Sequence, residues 1–141
     1  MPNKIAADKG IERAMKKLGR KLAECRGKRS LRKVSEPSGI SPSQLLSIEN
    51  GALAPTSDIY AKLLVTLKPT DNQRADMDQL FMVIRKVPPP DVCEVIINCP
   101  GLIPAIRAVN GVILTEQQIE SLNSLLASFA QENTKGDADN G

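Results

Sequence analysis

Apolar residues recur along this chain every three or four positions, which is the spacing of one buried face of an α-helix. The predicted helices cover residues 11–26, two short segments within 30–50, then 57–67, 71–86, 91–98, 102–110 and a segment after Thr115. The expected fold class is therefore all-α.

Serine and threonine residues mark where several of these helices begin. Ser30 and Ser41 each precede an apolar-periodic run, and their side-chain oxygens can accept from the unpaired N–H groups of the first turn. At the second of these starts a proline occupies the first helical position, and Gln44 follows three residues after Ser41, which is a capping-box pattern. Further helix starts are predicted at Thr70 and Thr115.

The segment 30–50 predicts two capped helices joined by a tight turn. Gly39 can take the positive φ that such a turn requires. Pro37 falls inside the last turn of the first of the two helices and would end it early. The apolar residues of the segment would share one small core, namely Val34, Ile40, Leu45 and Ile48. Two short helices joined in this way form a helix-turn-helix DNA reader.

Residues 38–51, Ser-Gly-Ile-Ser-Pro-Ser-Gln-Leu-Leu-Ser-Ile-Glu-Asn-Gly, are followed by Pro55-Thr56 and an apolar run over 59–67. This sequence resembles the Cro-like or Xre-like helix-turn-helix regulators, which include many phage repressors, and the resemblance covers residues 16–68. In that family Ile-Glu-Asn-Gly closes the recognition helix and Pro-Thr opens the fourth helix. The resemblance implies a five-helix Cro/repressor-like DNA-binding domain in a sequence-specific transcriptional regulator, most simply a repressor.

The resemblance also implies which side chains of the recognition helix, 42–50, face the major groove: Pro42, Ser43, Gln44 and Ser47. Gln44 is the strongest candidate because its amide can pair bidentately with adenine, although the same side chain can close the capping box with Ser41. Ser43 and Ser47 can donate or accept but discriminate weakly. Pro42 offers only apolar contact to a thymine methyl group.

Charge is distributed unevenly along the chain. Through residue 50 there are 12 Lys and Arg against 5 Asp and Glu, and from residue 51 onward there are 7 against 11, so the net charge changes from +7 to −4. The basic charge lies where the reader lies, and it favours phosphate contact over a merely solvated face or an acidic protein partner. The predicted phosphate contacts are Arg26, Lys28, Arg29, Arg32, Lys33 and Asn50. Glu49 is expected to hold the local fold.

Beyond the reader, Pro88-Pro89-Pro90 favours a stiff extended connection between two units. The expected organisation is a flexible amino terminus over 1–10, the DNA-binding domain over 11–87, a proline linker over 88–90, a small helical carboxy-terminal unit over 91–131 and a disordered tail over 132–141.

The last predicted helix carries one apolar face, formed by Ile119, Leu122, Leu125, Leu126 and Phe129. This face is a dimer or partner interface, or it packs within its own chain against Ile96, Ile103 and Ile106; a unit of about fifty residues is small to hold a core unaided. A reader with few strong base donors gains specificity when two copies bind a palindromic site. We therefore expect a homodimer.

Several functions are not expected from this composition. The chain has no histidine, no glycine-rich phosphate loop and no carboxylate cluster with metal spacing, so we predict no catalytic residue, no metal site, no cofactor and no enzymatic activity. Its three cysteines, Cys25, Cys93 and Cys99, lack disulfide or zinc spacing and are expected to be reduced core thiols. No long apolar run or apolar leader is present, which predicts a cytoplasmic protein without membrane contact.

Double-stranded DNA is the expected partner, since an aromatic content of 2% argues against stacking on single strands. Two alternatives remain open. In the first, the protein is an antitoxin that binds a toxin and also regulates its own operon. In the second, it is a helical adaptor that uses the carboxy-terminal apolar face to bind another protein.

Overall fold

The computed structural model describes the backbone of residues 2–139 and the side chains of residues 9–134. Over this part of the chain there are eight α-helices and no strand, which confirms the predicted all-α class. The helices are α1 (Pro2–Arg26), α2 (Leu31–Ser35), α3 (Pro42–Glu49), α4 (Ser57–Leu67), α5 (Asp71–Arg85), α6 (Pro90–Asn98), α7 (Ile103–Ala108) and α8 (Glu116–Asp139), with a 3-10 turn at Pro100–Leu102. The chain divides into an amino-terminal unit, Met1–Pro100, and a carboxy-terminal unit, Gly101–Gly141.

The amino-terminal unit is built around one apolar core to which α1 to α5 contribute. Its buried members are Leu18, Leu22, Val34, Ile40, Leu45, Ile48, Tyr60, Leu63, Leu64, Leu67, Met77 and Phe81. The rings of Tyr60 and Phe81 stack with centroids 4.3 Å apart. The hydroxyl of Tyr60 donates a 2.7 Å hydrogen bond to Asp78, so the polar end of this buried ring is satisfied.

The observed helix starts confirm the predicted caps. Ser41 accepts from the backbone N–H of Gln44 at 3.1 Å, and the Gln44 side chain accepts from the N–H of Ser41 at 2.9 Å. Thr70 and Thr115 form the same reciprocal box with glutamines three residues later. The helix α2 ends before Pro37, as predicted.

Helix α1 crosses the carboxyl end of α3 at Gly19. A Cβ atom at this position would collide with the backbone oxygens of Ile48 and Glu49, so only glycine permits the approach. Gly51, which follows α3, has a φ of +77° and lies against the backbone of Lys16. The position of α3 is therefore fixed from its end by the backbone of α1.

The proline segment differs from the predicted linker. Pro89 is buried, α6 begins at Pro90, and Nη2 of Arg74 on α5 lies 2.6 Å from a carboxylate oxygen of Asp91. Proline is favoured at the first helical position, because an N–H group there has no acceptor within the helix. The segment therefore begins a helix, and this helix packs against α4. The division between the two units falls after Pro100, beyond the predicted boundary.

The predicted chain ends also differ from the structure. Helix α1 begins at Pro2, where a flexible segment to residue 10 was expected, and α8 continues to Asp139 through the tail expected to be disordered from Glu132. Neither segment contains a proline beyond the first helical position, so nothing interrupts the backbone hydrogen bonds. Met1 and the last two tail residues, 140 and 141, lie outside the described residues.

The carboxy-terminal unit has no buried side chain among those described. The five apolar residues of the predicted face on α8 are 44 to 51% exposed, so this face is uncovered. No helix in the described part of the chain is both long and apolar enough to cross a membrane.

Candidate nucleic-acid interface

Helix α3 is held firmly along its inner side. Leu45 and Ile48 are each 1% exposed in the core. At its carboxyl end, Glu49 accepts two hydrogen bonds from Arg26 of α1, at 2.7 Å from Nε and 2.9 Å from Nη2. The hydrogen bonds to this carboxylate raise the pKa of Arg26. Glu49 thus holds the local fold, which is the role predicted for it.

The opposite side of α3 faces solvent and carries no charge. Ser43, Leu46 and Asn50 are exposed, and Ser47 is half-buried. Leu46, Ser47 and Asn50 lie three, four and seven positions after Ser43, so the four residues form one continuous surface. Pro42, at the start of the helix, is half-buried. Of the predicted base contacts, Ser43 and Ser47 therefore lie on this outer surface.

Gln44 is exposed, but its side chain is already engaged. Its Oε1 accepts from the N–H of Ser41, as the capping box requires. Bidentate pairing with adenine uses both the oxygen and the nitrogen of the amide. That pairing would break the capping bond, whereas single donation from Nε2 would leave the bond intact.

Arg26 and Arg29, which were predicted as phosphate contacts, form hydrogen bonds within the chain. Besides its pair with Glu49, Arg26 donates to the carbonyl of Arg29 at 2.7 Å. The guanidinium of Arg29 donates to the carbonyl oxygens of Cys25 at 2.7 Å and Thr66 at 3.2 Å. These carbonyls lie at the carboxyl ends of α1 and α4, where unpaired oxygens and the helix dipole attract cations.

The other predicted phosphate contacts remain accessible. Lys28, Lys33 and Asn50 are exposed, and neither lysine forms an ion pair with a described side chain. Arg32 lies 3.8 Å from the carboxylate of Glu36, and both side chains are more than 70% exposed. An exposed pair of this kind is weak enough to exchange for a phosphate.

Leu46 was missed as a candidate contact, although its exposure of 44% places it on the outer surface of α3. The signal lay in the Leu45-Leu46 pair. Leu45 and Ile48, three positions apart, already occupy the inner side, so the two residues between them, Leu46 and Ser47, turn away from the core. Leu53, in the loop after α3, is 43% exposed as well.

The three cysteines and any metal-binding groups were expected from the sequence to be, respectively, buried and absent. Cys25 and Cys93 are half-buried. Cys99 is exposed, so the prediction that it is a core residue is wrong. Burial, followed by the charge of Glu24, raises the pKa of Cys25 and keeps its thiol protonated. No group of three or more described His, Cys, Asp or Glu side chains is arranged to hold a metal ion.

Comparison of the chain with protein-family models, with curated proteins and with solved structures finds no match. Its function must therefore be inferred from its own residues and geometry.

Proposed function

We propose that this protein is a sequence-specific double-stranded DNA-binding transcriptional regulator, most simply a repressor, that reads the major groove with α3. The observation that carries the proposal is the two-sided character of this helix. Its inner side is fixed by buried leucine and isoleucine, by the Arg26–Glu49 pair and by the approach of Gly19, while its outer side is exposed and uncharged. A groove-reading helix requires this combination, because base edges are read by a rigidly placed polar surface.

The charge distribution supports the same function. Helix α2 packs against α3; it carries the exposed basic residues Arg32 and Lys33, and the exposed Lys28 precedes it. Phosphate neutralisation by such residues releases counterions, which gives affinity without sequence preference. The basic residues would position the protein, and the outer surface of α3 would supply the preference.

The uncovered face of α8 supports assembly into a homodimer. A helix whose apolar side is half exposed gains stability when a second apolar surface covers it. The five residues of this face carry no charge, so two copies meet without like-charge repulsion. A dimer would present two copies of α3 to half-sites about 34 Å apart.

Selection of DNA from a random duplex pool, followed by fluorescence anisotropy at about 50 and 200 mM salt, tests the DNA-binding function. We expect one enriched sequence, bound more tightly than a scrambled duplex and more weakly at the higher salt. Lys28→Ala with Lys33→Ala should weaken binding to both duplexes and reduce the salt dependence. The control is Lys21→Ala, because this lysine lies beside α5, 3.5 Å from Asp76, and not beside α2 or α3. Equal weak binding to all duplexes would refute the function.

Analytical ultracentrifugation tests the dimer. Leu126→Glu places a charge within the α8 face and should give a monomer with reduced DNA affinity. Ile113→Glu, at a residue that is 95% exposed and outside α8, is the control and should remain dimeric. A wild-type chain that is monomeric while bound to DNA would assign the face to another protein, as an antitoxin or an adaptor requires.

A further inference from the structure

The outer surface of α3 contains an apolar side chain that the protein itself does not cover. Leu46 lies 44% exposed among Ser43, Ser47 and Asn50. The inner positions of the helix are already filled by Leu45 and Ile48, so Leu46 is not required by the core. A leucine among small polar residues changes what this surface can recognise.

The loop after α3 extends this apolar margin. The backbone N–H groups of Ala52 and Leu53 both donate to the carbonyl of Ser47, at 2.9 and 3.2 Å. These bonds fold the loop back against α3 and hold the exposed Leu53 close to the end of the same helix. The outer surface therefore combines a strip of hydrogen-bonding groups with an apolar edge held in a fixed place.

The major groove offers an apolar edge of its own. Among the base pairs only those with thymine present a methyl group there, while the remaining positions are donors and acceptors. Serine hydroxyls bond to either kind of polar position, so Ser43 and Ser47 discriminate weakly. An exposed leucine gains apolar contact area against a methyl group. Against a cytosine it would remove water from the amino group without offering it a hydrogen bond, which is unfavourable.

We propose that Leu46 is a specificity-determining residue that reads the methyl group of a thymine in each half-site. This inference rests on the proposed DNA-binding function and deepens it, because it names the base feature that α3 selects. The polar side chains then orient the helix, and the leucine supplies the discrimination that they lack.

Replacement of single thymines by deoxyuridine, in the duplex selected by the full-length protein, tests the proposal. Deoxyuridine removes only the 5-methyl group and keeps every hydrogen-bonding position. We expect one thymine per half-site at which this change weakens binding about four-fold, the affinity ratio that corresponds to transfer of one methyl group. In Leu46→Ala the same replacement should change the affinity less than about two-fold.

Two further variants make the result specific to this residue. Val65→Ala removes an apolar side chain that is 74% exposed on α4, and it should keep the full deoxyuridine effect. Pro42→Ala tests the other apolar candidate on α3 and should keep it too. Circular dichroism checks that each variant retains its helices, as alanine within a helix permits.

The outcomes distinguish failure of the role of Leu46 from failure of the DNA-binding function. A preferred duplex whose thymines can all be replaced without effect, or an effect that persists in Leu46→Ala or disappears in Pro42→Ala, overturns the role of Leu46 and leaves the DNA-binding function in place. Absence of any preferred duplex, measured on the same wild-type protein, overturns the DNA-binding function and the role of Leu46 together.

Discussion

The two phenylalanines of this chain lie in opposite surroundings, one in each unit. Phe81, in the amino-terminal unit, is fully buried and stacks on Tyr60, whereas Phe129, on α8, is 48% exposed. The same contrast holds for the apolar residues around them. The amino-terminal unit closes a core within one chain, while the described side chains of the carboxy-terminal unit leave their apolar face open.

This difference separates two uses of apolar periodicity. In α4 and α5 the apolar stripe is buried in the core of the same chain, so it stabilises the monomer. In α8 a stripe of the same spacing is left exposed, and the proposed dimer would cover it. Substitutions in the two stripes should therefore change different measured quantities.

Phenylalanine truncation should give the largest contrast. Phe81→Ala removes a fully buried ring and should lower the free energy of unfolding by about 3–5 kcal/mol, measured by urea denaturation. Phe129→Ala should leave the unfolding of the amino-terminal unit nearly unchanged and weaken self-association instead. The tyrosine band of the near-ultraviolet circular dichroism spectrum follows that unit alone, because Tyr60 is the single tyrosine and the chain has no tryptophan. Equal losses in the two variants would remove the distinction between the units.

The two glycines of α1 should respond to alanine with opposite signs. Gly19→Ala forces a methyl group against the backbone oxygens at the end of α3 and should cost about 3 kcal/mol in thermal or urea unfolding. Gly10→Ala, on the same helix with open space around it, should be neutral or stabilise by up to about 1 kcal/mol. A stable Gly19→Ala protein would show that α1 and α3 are free to separate.

Two ion pairs of the amino-terminal unit should also differ. Arg26→Gln leaves the Glu49 carboxylate, which is 5% exposed, without its charged partner, and should cost about 2 kcal/mol. Lys21→Ala breaks the exposed pair with Asp76 and should cost no more than about 0.5 kcal/mol. Urea midpoints measured at one salt concentration compare the two directly. The interpretation of Glu49 as an anchor for α3 fails if these losses are alike.

The hydroxyl of Tyr60 should contribute less than the Arg26–Glu49 pair. Tyr60→Phe should cost about 1 kcal/mol through loss of the bond to Asp78. Burial, and then this hydrogen bond, raise the pKa of Tyr60 above its ordinary value of 10.0. A raised pKa in the folded state contributes stability that is complete below the unfolded value and is lost as pH rises through the folded one.

Ultraviolet titration of this single tyrosine checks the shift. We expect no ionisation of the folded protein near pH 10.0, and ionisation there once urea has unfolded it. Unfolding and ionisation should coincide when the pH of the folded protein is raised further. A folded protein whose tyrosine titrates at its ordinary pKa would contradict the buried Tyr60–Asp78 bond.

Local signals in the sequence were sufficient for most helix positions. The apolar run 57–67 coincides with α4, and the caps at Ser41, Thr70 and Thr115 are all present, because capping depends on residues a few positions apart. The proline segment illustrates the limit of such signals. Three prolines favour an extended chain locally, but burial of Pro89 and the contact between α4 and α6 depend on distant residues.

The candidate interface could be predicted only in part for the same reason. The buried and exposed sides of α3 follow from its periodicity, and Leu46 could have been recognised from it. The internal roles of Arg26 and Arg29 could not, because two of their partners, Glu49 and Thr66, lie 23 and 37 residues away in sequence. The requirement for glycine at position 19 likewise depends on where α1 and α3 cross.

The capping boxes at Ser41, Thr70 and Thr115 all use glutamine as the third residue. A glutamate there would be a titratable carboxylate, and its contribution would vary with acidity and salt. The chain also contains no histidine, the side chain that most often changes charge near neutrality. The starts of α3, α5 and α8 should thus keep one geometry from about pH 5 to pH 8, and acidification within this range should leave α3 unaltered.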